Sequence, residues 1–354
     1  MASRSALLIG SLPFGDEEQC MRRALQALGP ALVSLPDGEV GVKSPATPRG
    51  NRADWVMFAL QTLSADREGW RVVRQAVRDA DGLPADYDKV EQLKPLLPPA
   101  RVAGRVRFGY DRWMRKSYDI FCRLRGEFGL PRMRFQLGVP TGFAMGFAFA
   151  SKLDWIRYTG AFNTVIAREV NAALEEAGEN LVVQLEIPPE LYAAYLLPQA
   201  FMGLAQLPVK NLLSKIRPGA RIGLHLCLGD FHNRALVHPG SLERMAAFAN
   251  RLASSFTDGH KLEYVHFPLA EAAKPPSLDP EFYRPLEKVR LPAGAHFVAG
   301  FVHEGRSLEQ NREILGVIEA LREGAVDVAA SCGLGRRTPE AAQQVLELMG
   351  QLTA

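Results

Sequence analysis

Eight short apolar runs, most of them followed by a longer amphipathic stretch, constrain this 354-residue chain more than any single motif does. The runs cover residues 6–12, 31–35, 133–139, 181–187, 221–228, 262–267, 296–302 and 326–332. Most are near-continuous in apolar residues rather than alternating, the pattern of strands buried on both faces of a parallel sheet. Between them, apolar residues recur at three- and four-residue spacing over 17–28, 53–79, 110–127, 152–177, 242–255, 308–323 and 339–349, which predicts helices. This alternation predicts an α/β fold, a closed (β/α)8 TIM barrel, with residues 1–354 as one domain. The proline-rich stretches 82–99 and 273–280 read as loops rather than interdomain linkers. Residues 204–218 read as an extra segment, a short helix over the barrel mouth.

Composition narrows the partners. A formal charge of +3, with Lys and Arg spread along the chain, is too small to point to nucleic acid. No run approaches the ~18 uninterrupted apolar residues of a membrane span. The opening MASRSALLIGS runs into a Pro-Phe-Gly turn, unlike a signal peptide. Cys20, Cys122, Cys227 and Cys332 have no disulfide-framework spacing, so reduced thiols and a cytoplasmic setting are expected.

In a (β/α)8 barrel the chemistry sits where the strands end. The first run ends in Ile9-Gly10-Ser11, the second in Pro36-Asp37-Gly38-Glu39, the third in Val139-Pro140-Thr141-Gly142 and the fourth in Gln184-Leu185-Glu186. The fifth carries His225 and Cys227, followed by Gly229-Asp230; the sixth ends in His266, the seventh in His303-Glu304 and the eighth in Cys332-Gly333. Residues i and i+2 of a strand share a face, so His225 and Cys227 can reach one point together. Joined there by Cys332, an imidazole and two thiolates make a zinc site with room for a further ligand or a substrate. His266 is a candidate fourth ligand, and Glu263 competes but is out of phase with it. His303 is a ligand, a residue that supports a ligand from behind, or a substrate-facing residue. Cys20 and Cys122 read as packing, and His232, His238, His260 and His296 as surface or loop residues. The segment Gly333-Leu334-Gly335-Arg336-Arg337 reads either as a phosphate cradle at a helix start or as a turn with solvated charge.

These segments resemble the C-terminal catalytic barrel of cobalamin-independent methionine synthase, in the superfamily that includes uroporphyrinogen decarboxylase. LLIGSLP is similar to the family's IGS-x-P opening, which implies that Ile9, Gly10 and Ser11 hold an amino-acid carboxylate. DGE at 37–39 is similar to a loop whose Glu contacts the substrate amine, implying that role for Glu39; QLEIPPE resembles the QxDEP segment, with Glu186 at the Asp position. HLC and SCGLGRRTPEA resemble the zinc-binding segments, again implying His225, Cys227 and Cys332. Three features depart from the family. Ile187 replaces the acidic residue before proline. The family's zinc-binding Glu near the sixth strand has no clear counterpart, YVHFPLA offering His266 instead. The half that full-length synthases use with polyglutamyl folate has no match here.

The resemblance implies a zinc-dependent methyltransferase that activates a substrate thiol as a zinc-bound thiolate and methylates it. The methyl donor would be methylfolate or a methylcorrinoid protein, and His303 or Asp230 would protonate the leaving group. Three other readings stay open at this point: another zinc thiol–alkyl transferase or lyase, a metal-free decarboxylase-like barrel using Arg336 and Arg337, and a non-catalytic zinc-binding protein with a closed four-ligand site.

Overall fold

The computed structural model describes residues 4–44, 47, 49–53, 55–78, 84–229, 231, 234–256, 259–271 and 273–354. Strand β1 (Ala6–Leu7) leads into helix α1 (Glu17–Leu28), whose buried stripe of Cys20, Met21, Ala24, Leu25 and Leu28 follows the three- and four-residue spacing. Asp16 starts this helix by accepting from the Gln19 amide, the role of a capping residue. After β2 (Leu35–Pro36), α2 (Trp55–Ala65) precedes an antiparallel hairpin of β3 (Trp70–Arg74) and β4 (Gln92–Pro95). Helices α3 (Pro99–Arg105) and α4 (Tyr110–Glu127) complete this long excursion. The chain then runs β5 (Phe135–Pro140), α5 (Gly142–Met145), α6 (Lys152–Ala177), β6 (Leu181–Glu186), α7 (Pro188–Leu196), α8 (Leu207–Leu213) and β7 (Arg221–His225). It ends with α9 (Glu243–Ala253), β8 (Lys261–Pro268), β9 (His296–Gly300), α10 (Leu308–Arg322), β10 (Asp327–Ala329) and α11 (Pro339–Thr353).

Eight of these strands form one parallel sheet in the order β1-β10-β9-β8-β7-β6-β5-β2. A parallel bridge between Ala6 and Leu32, with the Val33 amide donating to the Ala6 carbonyl at 2.9 Å, joins the two ends of that order. The (β/α)8 barrel expected from the alternation is the fold. Its interior holds a separate cluster of Leu7, Ile9, Val182, Tyr264, Val298 and Ala329, while the larger core lies between sheet and helices. On β6, Gln184 and Glu186 are in phase with the inward Val182, so the pleat carries both toward the mouth.

One irregularity sets the register that matters most. Ile222 pairs with Leu262 but Gly223 pairs with Tyr264, so β8 has one extra residue, Glu263, opposite the gap. Beyond this bulge His225 stands opposite His266. Glu263 is drawn aside into ion pairs with Arg221 and Lys261, which removes it from the fourth-ligand candidates.

Three sequence expectations need correction. The helix expected over 53–79 spans only Trp55–Ala65, because the chain turns at Asp66–Gly69, where the Asp66 carboxylate accepts from the Gly69 amide. The loop expected over 82–99 includes β4, and Trp70 of the hairpin stacks on Phe149 and Phe162 at 5.5 and 5.9 Å. Residues 204–218 do not cover the mouth; they dock on the outer helix α6, where Asn163 donates to Pro208 and Asn171 to Lys215.

Candidate functional site

His225, Cys227 and Cys332 converge. Their ligand atoms all lie within 4.8 Å of one another. The two sulfurs are 3.7 Å apart, and Cys332 Sγ is 3.6 Å from His225 Nε2. Tetrahedral zinc, with Zn–S of about 2.3 Å and Zn–N of about 2.0–2.1 Å, requires sulfurs about 3.8 Å apart and a nitrogen–sulfur edge of about 3.5 Å. These two edges match. The sulfur separation is far longer than the ~2.05 Å of a disulfide. Strand β7 stops at His225, and a tight turn in which the Cys227 amide donates to the His225 carbonyl (2.9 Å) keeps the Cys227 sulfur in reach. The Gly229 amide donates to that sulfur at 3.3 Å, which helps hold it in place.

His266, the expected fourth ligand, stands behind this cluster. Its Nε2 faces the Ala330 carbonyl at 2.9 Å and its Nδ1 faces His225 Nδ1 at 2.8 Å. Both ring nitrogens are thus committed, and neither is offered to the thiols. Burial lowers the pKa of both rings, His266 to about 3, so both are neutral near pH 7. Gly300 makes the room: a Cβ there would sit 2.3 Å from His266 Nε2.

The loops after β1 and β10 lock together beside the thiols. The Leu334 amide donates to the Ser11 carbonyl at 2.8 Å and the Gly335 amide to Ser11 Oγ at 3.3 Å. A Cβ at Gly333 or Gly335 would lie within 2.7 Å of the Ser11 side chain, so only glycine allows this approach.

Glu39 and Glu186 meet over Gly138, where an added Cβ would be 2.9 and 3.0 Å from their Oε1 atoms. An added Cβ at Gly10 would likewise sit 2.6 Å from Glu39 Oε1. Glu39 takes a left-handed backbone (φ 53°), fixed by Asp37 accepting from its amide at 2.9 Å. Asp37 is buried, but Arg52 at 2.7 Å, Ser117 at 2.6 Å and that amide hold its pKa below the usual carboxylate value. Burial, then the neighbouring Glu186, push the Glu39 carboxyl well above its ordinary value. Glu186 accepts from Gln184 at 3.3 Å, and Gln184 in turn is held by the Ile9 carbonyl and the Tyr264 hydroxyl.

A cavity of about 390 Å³ joins these parts: Ser11, Glu39, Glu186, Cys227, Cys332 and Arg336 all line it. Ile9 lines it as well, while its opposite wall is apolar, with Phe147, Trp155, Tyr192 and Phe231. Tyr87, from the excursion between β2 and β5, spans the mouth, receiving the Phe231 amide at 3.0 Å and donating to the Arg234 carbonyl at 3.1 Å. Sequence reasoning passed over Tyr87, Arg52 and Gln136, which with Gln184 ties Glu186 to the backbone of Leu8 and Ile9.

His303 does not line the cavity; it is buried, with Nδ1 accepting from the Gly305 amide at 2.9 Å and lying 3.4 Å from Glu304. Asp230 lies outside the described residues. Arg337 is paired with Glu304 at 2.8 Å, which leaves Arg336 as the arginine of that segment on the cavity. Cys20, whose thiol donates to the Phe14 carbonyl at 2.9 Å, is raised to about 12 by burial.

No family model matches the sequence, and no curated protein does. Among solved structures, the chain is similar to a B12-independent methionine synthase from Shewanella sp. W3-18-1 in complex with selenomethionine. The TM-score is 0.62 at 12% identity, over 99% of this chain and 98% of that one. At that identity the likeness shows the barrel fold. None of the described helices is long and apolar enough to cross a membrane.

Proposed function

We propose that this chain is a zinc-dependent thiol methyltransferase of the methionine-synthase type. The observation that carries the reading is the triangle of His225 Nε2, Cys227 Sγ and Cys332 Sγ, with two edges at tetrahedral-zinc values, opening on a cavity that also holds a carboxylate pair. A bound zinc ion would supply Lewis acidity that keeps a substrate thiol deprotonated near neutral pH.

The rest falls to the chain's own groups. Glu39 and Glu186 face one point and suit an ammonium group on the acceptor, which neutralises their mutual repulsion. The Ser11 hydroxyl, with the backbone around Ile9 and Gly10, receives the acceptor's carboxylate end. The apolar wall of Phe147, Trp155, Tyr192 and Phe231 excludes water from the nucleophile and seats the methyl donor, methylfolate or the cofactor of a methylcorrinoid protein. Orientation of donor and acceptor in one cavity supplies most of the rate. The committed nitrogens of His266 disfavour a closed four-ligand structural site. The Arg337–Glu304 pair disfavours a decarboxylase that needs both arginines. Among zinc thiol chemistries, the carboxylate pair favours an amine-bearing acceptor.

Metal analysis of the purified chain, with cobalt substitution read before and after added thiols, tests this reading. One zinc per chain and sulfur-to-cobalt absorption that grows on adding an aminothiol are expected. A metal-free chain with Cys227 and Cys332 both freely alkylated would refute it.

A further inference from the structure

We propose that His266 is a positioning residue that fixes the ring tautomer of His225, so that Nε2 is the metal-binding atom and three protein ligands complete the chain's share of the site. The inference rests on the zinc reading above. The Ala330 carbonyl can only accept, so the His266 Nε2 that faces it at 2.9 Å carries a hydrogen. His266 is fully buried, which disfavours a second proton, so its Nδ1 is a lone pair. That lone pair faces His225 Nδ1 at 2.8 Å, and the hydrogen between them therefore belongs to His225. A neutral His225 with hydrogen on Nδ1 presents a bare Nε2, the atom 3.6 Å from Cys332 Sγ.

The opposite ring orientation fails. Turning the His266 ring by 180° would put Cδ2 against His225 and Cε1 against Ala330, losing both bonds. Gly300 confirms the tight seat, since an added Cβ would approach both Nε2 and Cε1 of His266 within 2.7 Å. His266 therefore acts through His225 and touches neither metal nor substrate. The fourth position is left to the substrate.

Two measurements test this. Long-range ¹H–¹⁵N spectra of the metal-free wild-type chain should show His225 with hydrogen on Nδ1 and His266 with hydrogen on Nε2. Zinc affinity, measured against a chromophoric chelator, should fall about 10- to 100-fold in His266→Leu, the usual loss when a ligand histidine's outer partner is removed. His266→Asn, whose carbonyl oxygen replaces the Nδ1 acceptor, should restore affinity to within about threefold. A His225 with hydrogen on Nε2 overturns the proposal, and so does a folded His266→Leu chain of wild-type affinity. If His266→Leu does not fold, the wild-type spectrum and His266→Asn still decide. A wild-type chain that binds no zinc overturns the zinc reading itself. Zinc binding with unchanged His266→Leu affinity overturns this inference alone.

Discussion

Replacing Glu190 with Gln tests how strongly burial governs the wall of the cavity. Glu190 lies in the first turn of α7, directly after the cavity-lining Pro188 and Pro189, and is fully buried. One carboxyl oxygen meets the Thr141 hydroxyl, and Oε2 has no hydrogen-bond partner among the described residues. Burial pushes this carboxyl from the ordinary 4.5 up to about 8. Between those values the folded chain holds a proton that the unfolded chain has released. Its contribution is therefore fully present below pH 4.5 and is lost as the pH rises toward 8. At about 1.36 kcal/mol per unit, the loss between pH 5 and 8 comes to about 3–4 kcal/mol. That is a large part of the ~5–15 kcal/mol that holds a typical domain folded. Glu190→Gln keeps the shape and an acceptor for Thr141 but carries no titrating proton. The stability of the variant relative to wild type should therefore rise by about 3–4 kcal/mol between pH 5 and 8. Urea unfolding followed by circular dichroism at pH 5, 6, 7 and 8 measures it. Parallel stability profiles for the two proteins would refute the reasoning.

Cys227→Ser and Cys332→Ser should each bind less than about a tenth of the wild-type zinc, since two remaining ligands rarely hold the ion; retained zinc in either would break the trio. Gly138→Ala places a methyl between Glu39 and Glu186, so KM for an aminothiol acceptor should rise about tenfold or more while zinc stoichiometry stays at one; an unchanged KM would remove the carboxylate pair from the binding site. Gly300→Ala drives a methyl into the His266 ring and should cost about 1–3 kcal/mol of stability, together with a loss of zinc affinity. Wild-type affinity in that variant would show that the ring moves freely.

What the sequence revealed was what local periodicity encodes. Helices α1, α4 and α6 have the bounds read from their apolar spacing, because periodicity and helix ends are written in adjacent residues. The first apolar run overshot, since the described strand ends at Leu7 and the remainder, Leu8 to Leu12, is the site loop itself. The β3–β4 hairpin escaped notice because Trp70, Val72 and Val73 continue a helix-like pattern, and the turn before them holds only one glycine and no proline. The meeting of His225, Cys227 and Cys332 was legible once eight strand ends were aligned. The place of His266 was not. It depends on the bulge at Glu263 and on a carbonyl 64 residues away, neither of which leaves a mark in the local sequence.

Those distant contacts explain how protein groups alone space the thiols. Along the sheet, β7 and β10 are separated by β8 and β9. His225 and Cys227 come from the end of β7, Cys332 from just beyond β10. The path from His225 through the His266 ring to Ala330 crosses that interval, passing over Gly300 of β9, where any side chain would block it. It bonds the ligand-bearing strand directly to the residue two places before Cys332. The sulfur and nitrogen spacings are thus set by protein groups, so little ordering cost would remain for a bound ion. If the trio holds zinc as proposed, a preset triangle whose two thiols line the cavity would suit an ion that exchanges a ligand each turnover better than one that only staples the fold.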